Sequence, residues 1–183
     1  MHKFRCCLTI NTSGLLSFYL GLEFNDNEMK AEDLKFVVRK KYGKIASQSK
    51  LMNPSSCCGK KACGNNSDYS VFNDNYSNLK GYNAEADLNL GCGLPTEYAG
   101  IKSGDNVLDL GSGAGNDCFV ARSIVGETGS VTGLDFTGEM LTKASENLKK
   151  TIFKNVKFVL GDIENMPLSD NSYDVVISNC VLK

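Results

Sequence analysis

The run Val107-Leu-Asp-Leu-Gly-Ser-Gly-Ala-Gly115 constrains this chain more than any other feature. Four residues of strand character lead into three alternating glycines, Gly111, Gly113 and Gly115, and a helical pattern follows over 118–125. A tight turn from strand to helix needs residues without a Cβ, so that a ligand can approach the backbone. The dinucleotide fingerprint G-x-G-x-x-G asks for a glycine where this chain has Asn116, so that match fails by one residue. The turn therefore reads as nucleotide-binding, with a different glycine spacing.

The rest of the second half repeats the alternation. Residues 130–134 read as a second strand, 139–150 as a helix with a Lys-rich end that suits its dipole, 156–160 as a third strand and 173–178 as a fourth. Strands alternating with helices predict an α/β protein with a parallel, doubly wound sheet. Ligands of such sheets bind at the carboxyl ends of the strands. Asp135 stands at the end of the second strand, about 20 residues past the last glycine, where a ribose-binding acid belongs. Gly161-Asp162-Ile163-Glu164 follows the third strand. Asp109, one residue inside the first strand's end, either meets the ligand or orders the loop as a structural anion.

The first half is less regular. Residues 1–28 form a leader in which Lys3 and Arg5 precede a short apolar stretch, faintly like a signal peptide. Polar Thr9, Asn11, Thr12 and Ser13 argue against that, and the stretch is too short to span a bilayer. A non-homologous extension, a targeting segment and real structure all stay open there. In the unit 29–80, Leu34, Val37, Val38, Tyr42 and Ile45 recur at helical spacing over 32–46, with Arg39, Lys40, Lys41 and Lys44 as a solvated face. Residues 47–80 have a loop composition and hold Cys57, Cys58 and Cys63. A loop of that length is functional or disordered. Residues 81–183 make up the nucleotide-binding unit.

Charge and cysteine usage narrow the chemistry. A net charge of −1 leaves no electrostatic footprint for nucleic acid or an anionic membrane. Eight cysteines without a convincing signal peptide point to a reducing cytoplasm, where thiols serve chemistry. The one histidine, His2, lies in the leader, so His-based triads are excluded. Cys92 precedes the first strand in Gly91-Cys92-Gly93-Leu94-Pro95, and Cys180 closes the fourth in Ser178-Asn179-Cys180-Val181. Thiolates are soft ligands for thiophilic centres. The C-C-x4-C spacing of the loop lacks the paired C-x2-C of common zinc sites. Cys118, within the helix after the turn, reads as a small buried apolar residue.

The G-x-G-x-G turn with Asp109 ahead of it resembles class I S-adenosylmethionine-dependent methyltransferases. Five stretches together resemble the arsenite methyltransferase family more narrowly: Tyr-Gly-Lys-Ile-Ala at 42–46, the Cys-Cys loop, Leu-Asn-Leu-Gly-Cys-Gly at 88–93, the turn through Asn-Asp-Cys at 108–118, and Ser-Asn-Cys-Val at 178–181. The resemblance runs from about Met29 to Leu182. It implies a Rossmann-like class I fold and S-adenosyl-L-methionine held by Asp109, Gly111, Ser112, Gly113, Gly115, Asp135, Phe136, Asp162, Ile163 and Glu164. It also implies arsenic as substrate on Cys92 and Cys180, with one of Cys57, Cys58 or Cys63 as a further ligand or disulfide relay. The arsenic arrives as small-molecule arsenite–thiol conjugates, exchanges those thiols for protein thiolates, and attacks the sulfonium methyl through its lone pair. That lone pair carries no proton, so no general base is needed. Alignment by the protein can be worth ~7–11 kcal/mol in ideal cases. A thiol reductant, glutathione or a thioredoxin-like protein, restores trivalent arsenic and free thiols.

Two positions depart from the family pattern: Leu94 stands where Asn is usual, and Phe136 where Met is usual. Family members continue past the fourth strand with further strands and a C-terminal domain, so the expectation is a fold truncated there, with an apolar edge exposed. Two other readings stay open: a class I methyltransferase for a small organic substrate, and a non-catalytic arsenic-binding remnant.

Overall fold

The structure, a computed structural model, describes residues 30–47, 76–88, 90, 93–179 and 181. Helix α1 spans Ala31–Ser47. A 3-10 turn at Tyr76–Asn78 and the short helix α2, Pro95–Tyr98, precede the sheet. There follow β1 Asn106–Leu110, α3 Asn116–Val125, β2 Ser130–Asp135, α4 Gly138–Lys149, β3 Val156–Leu160 and β4 Val175–Ser178. All pairings are parallel and the strand order is β3-β2-β1-β4. This is the expected parallel α/β sheet, although among the described residues α3 and α4 both pack on one face of it, so it is not doubly wound there. Among the described residues no helix is long and apolar enough to cross a membrane.

The two faces of β1 go to two cores, because side chains alternate along a strand. Val107 joins Phe119, Val125, Val131 and Met140 under the helices. Leu108 and Leu110 join Leu134 on the other face, against Val159, Ile163, Leu168 and Tyr173. Phe119 has no exposed surface and lies between Phe153, 6.4 Å away, and Phe158, edge-on at 6.1 Å. Burial of a side chain of this kind contributes about 1.5–3 kcal/mol.

Element ends depart from the sequence expectations for identifiable reasons. α3 begins two residues earlier than the apolar pattern, since Gly115 adopts φ 92° and caps it. It stops at Gly126, whose N–H bonds the carbonyl of Arg122. β4 begins at Val175 and not at Tyr173, because the Asp174 carboxylate takes the Asn106 N–H at 2.8 Å before the ladder starts. In α1 the expected apolar face holds at Val37, Val38, Tyr42 and Ile45, which are half-buried, with Arg39, Lys40, Lys41 and Lys44 exposed, and it departs at its start. Leu34 is exposed, while Gly43 and Ala46 are buried. Gly43 lets α1 cross α4 closely, since a Cβ there would lie 3.0 Å from the Glu139 carboxyl carbon.

Candidate active site

The strand order reverses between β1 and β4, and β2 lies on one side of β1 with β4 on the other. Such a switch point opens a crevice at the carboxyl ends of the strands. A cavity of about 570 Å³ lies there, lined by the glycine turn, the end of β2, the turn after β3, the start of α3, and Val38 and Tyr42 of α1. Pockets for small ligands fall in the range of about 300–1,000 Å³.

Eight of the ten cofactor candidates line this cavity: Gly111, Ser112, Gly113, Asp135, Phe136, Asp162, Ile163 and Glu164. Asp135 fastens the turn. Its Oδ2 accepts the Gly113 N–H at 2.9 Å and its Oδ1 the Thr137 N–H at 2.8 Å. Burial pushes its carboxyl above the ordinary range, and the N–H groups of Thr137 and Gly113 pull it back. Each oxygen keeps a lone pair for a ribose hydroxyl.

The other two candidates lie elsewhere. Asp109 is 2% exposed and is not part of the cavity wall. Its Oδ2 accepts the Cys118 thiol at 3.3 Å, so it stands as a buried carboxyl under the turn. Burial pushes both its carboxyl and the Cys118 thiol upward. Gly115 is likewise outside the wall. A Cβ there would lie 2.7 Å from the Phe158 ring, so this glycine serves packing beneath the loop. Cys118 is buried as expected and is also a hydrogen-bond donor.

At the Phe136 end, α1 reaches across. Lys35 Nζ lies 2.7 Å from Asp162 Oδ2 and 2.6 Å from Glu164 Oε2. The Arg39 guanidinium stands 5.5 Å over the Phe136 ring. The Lys35 ammonium holds the Asp162 carboxyl below its ordinary value. Helical periodicity revealed neither basic residue as part of the site. Arg39 was legible only as a charge on a solvated face, and Lys35 had no reading.

The opposite end is a polar knot. The Tyr76 hydroxyl donates to the Gly93 carbonyl at 2.6 Å. Asn179 Nδ2 lies 3.1 Å from that carbonyl, 2.9 Å from the Tyr76 oxygen and 3.1 Å from Asp117 Oδ2. Burial pushes the Asp117 carboxyl upward. Asp117 and Asn179 both occur within the motifs quoted above, but sequence gave neither a role. Cys57, Cys58, Cys63, Cys92 and Cys180 all lie outside the described residues. Gly93 and Asn179 are the chain neighbours of the last two.

The residues present fit S-adenosylmethionine. Apolar Phe136, Ile163 and Met140 can face an adenine, Asp135 a ribose, and Ser112, Asn116 and Asp117 a polar end.

Residues 101–183 match a family profile described as a methyltransferase domain. The arsenite methyltransferase of Halobacterium salinarum is 41% identical over 175 residues, covering 86% of this chain and 44% of that protein. The arsenite methyltransferase of Aquipseudomonas alcaligenes is 43% identical over 99 residues, covering 50% of this chain and 28% of the relative. This chain thus spans less than half the length of either. Among solved structures, an arsenic(III) S-adenosylmethionine methyltransferase from Chlamydomonas reinhardtii is 42% identical, with a TM-score of 0.44 over 50% of this chain and 33% of that one. Residues 101–183 are thus similar to a methyltransferase domain, and most of the chain is similar to part of an arsenite methyltransferase.

Proposed function

We propose that the protein transfers a methyl group from S-adenosylmethionine to trivalent arsenic held by cysteine thiolates. One arrangement carries this reading. The cavity that joins the glycine turn to Asp135 and Phe136 also reaches Asn179, and Asn179 is hydrogen-bonded to Gly93. The sequence neighbours of Cys180 and Cys92 are therefore tied together at one end of the cofactor cavity. Asp135 would hold the ribose, and Phe136 and Ile163 the adenine. The cofactor, when bound, supplies an electrophilic methyl. Cys92 and Cys180, with one of Cys57, Cys58 or Cys63, would supply soft thiolates that replace the small-molecule thiols of the incoming arsenite conjugate. Their task is ligation and alignment, and no side chain needs to remove a proton from the arsenic. A thiol reductant, glutathione or a thioredoxin-like protein, would return the cysteines to thiols, which fits a reducing cytoplasm.

A single-turnover assay tests this. Purified chain, labelled S-adenosylmethionine, arsenite and a thiol reductant are mixed, and methylated arsenicals are counted beside a Cys180→Ser control. Product that vanishes in the control supports the proposal. Arsenite binding without product marks a thiol site lacking turnover, and neither product nor binding rejects the reading for this chain.

A further inference from the structure

Four polar atoms on residues lining the cavity have no hydrogen-bond partner: Ser112 Oγ, Asn116 Oδ1, Asp117 Oδ1 and Thr137 Oγ1. The first three fall within six residues, from the glycine turn into the first turn of α3. Asp117 is the expensive one. It is 9% exposed, and its Oδ2 accepts the Asn179 amide. The Tyr76 hydroxyl has one proton, and that proton is given to Gly93. Among the described residues two carboxyls act on Asp117, Asp87 on the cavity wall and buried Asp109, and the Tyr76 hydroxyl lies close to it as well. A buried carboxylate among carboxylates, with one oxygen unsatisfied, costs stability unless a cation completes it.

S-Adenosylmethionine and its demethylated product both carry an α-ammonium with three N–H donors. With the adenosine at Phe136 and Asp135, the other end of the molecule falls beside α3. We propose that Asp117 is the counter-ion of this α-ammonium, with Asn116 Oδ1 as a second acceptor. The pair makes the site select adenosyl ligands that carry an intact amino-acid end. The assignment rests on the S-adenosylmethionine reading. It gives a function to a buried charge that neither the ribose nor the arsenic site uses.

Calorimetric titration tests it on the full chain. The ligands are S-adenosylhomocysteine and the same molecule without its α-amino group, and the proteins are wild type and Asp117→Asn. Wild type is expected to prefer the amino ligand by about 10-fold or more, the scale of a charge-assisted contact. In Asp117→Asn the preference falls to about 2-fold or less, while the deamino ligand binds as before. An equal loss for both ligands in the variant overturns the assignment and leaves the cofactor reading intact. Should the variant not fold, wild type alone decides, since equal binding of the two ligands overturns the assignment. If neither ligand binds wild type, the cofactor reading falls, and this inference with it.

Discussion

The side-chain amide of Asn179 lies 3.1 Å from the carbonyl oxygen of Gly93 and binds the end of β4 to the segment before α2. The same NH2 group reaches Asp117 and Tyr76, so its two N–H donors are shared among three acceptors. Asn179→Ala leaves the buried Asp117 carboxylate without its donor. The expected cost is about 1–3 kcal/mol, read by urea unfolding. Arsenite binding, followed by native mass spectrometry, should weaken more than S-adenosylhomocysteine binding. Equal weakening of both would show that the amide does not set the geometry around the cysteines.

The glycines of the turn should not be equally replaceable. Gly115 has φ 92° and a Cβ position 2.7 Å from Phe158, whereas at Gly113, φ 53°, the nearest atom is Met140 Sδ at 4.0 Å. Gly115→Ala adds a clash to backbone strain, and about 2–4 kcal/mol is expected. Gly113→Ala carries the strain alone, about 1–2 kcal/mol, and keeps the N–H that Asp135 accepts. Thermal melts of the two variants check the order. A larger loss at Gly113 would contradict it.

Lys35 should act on ligand retention more than on stability. Its partners Asp162 and Glu164 are partly and largely exposed, and such pairs add little to folding. They do hold α1 across the Phe136 end of the cavity. Lys35→Met should raise the dissociation constant of S-adenosylhomocysteine several-fold at low salt, and the difference should fade near 1 M salt, where screening already weakens the wild-type pair. A salt-independent difference would point to lost packing instead.

Stability without ligand should depend on pH through Asp117. Burial lifts its folded-state carboxyl above the ordinary 3.8. Above that value the folded protein keeps a proton that the unfolded chain has released. Stability therefore falls as pH rises through the window above 3.8. Asp162 has the opposite sign, since Lys35 holds its carboxyl low, and its contribution is lost only as pH drops below the ordinary value. Asp117→Asn removes the first effect. Urea unfolding should show the variant gaining on wild type as pH rises above the ordinary carboxyl value. A constant difference across that range would mean that Asp117 does not titrate there.

The sequence alone determined the parallel α/β sheet, its glycine turn and the acid at the end of β2. These rest on local rules: alternation of strand and helix patterns, and the absence of Cβ atoms where a chain must turn sharply. Tertiary structure decided which of those residues face a ligand. Asp109 and Gly115 carry the motif as plainly as Asp135 and Gly113, yet they turn inward to Cys118 and Phe158. The reason is that orientation at the end of a strand depends on what the facing helix places there. Lys35, Arg39, Tyr76 and Asn179 reach the site from segments up to 144 residues apart (Lys35 to Asn179). No periodicity records such a meeting, because only the packing of α1, the 3-10 turn and β4 against one crevice brings their polar groups within hydrogen-bond reach.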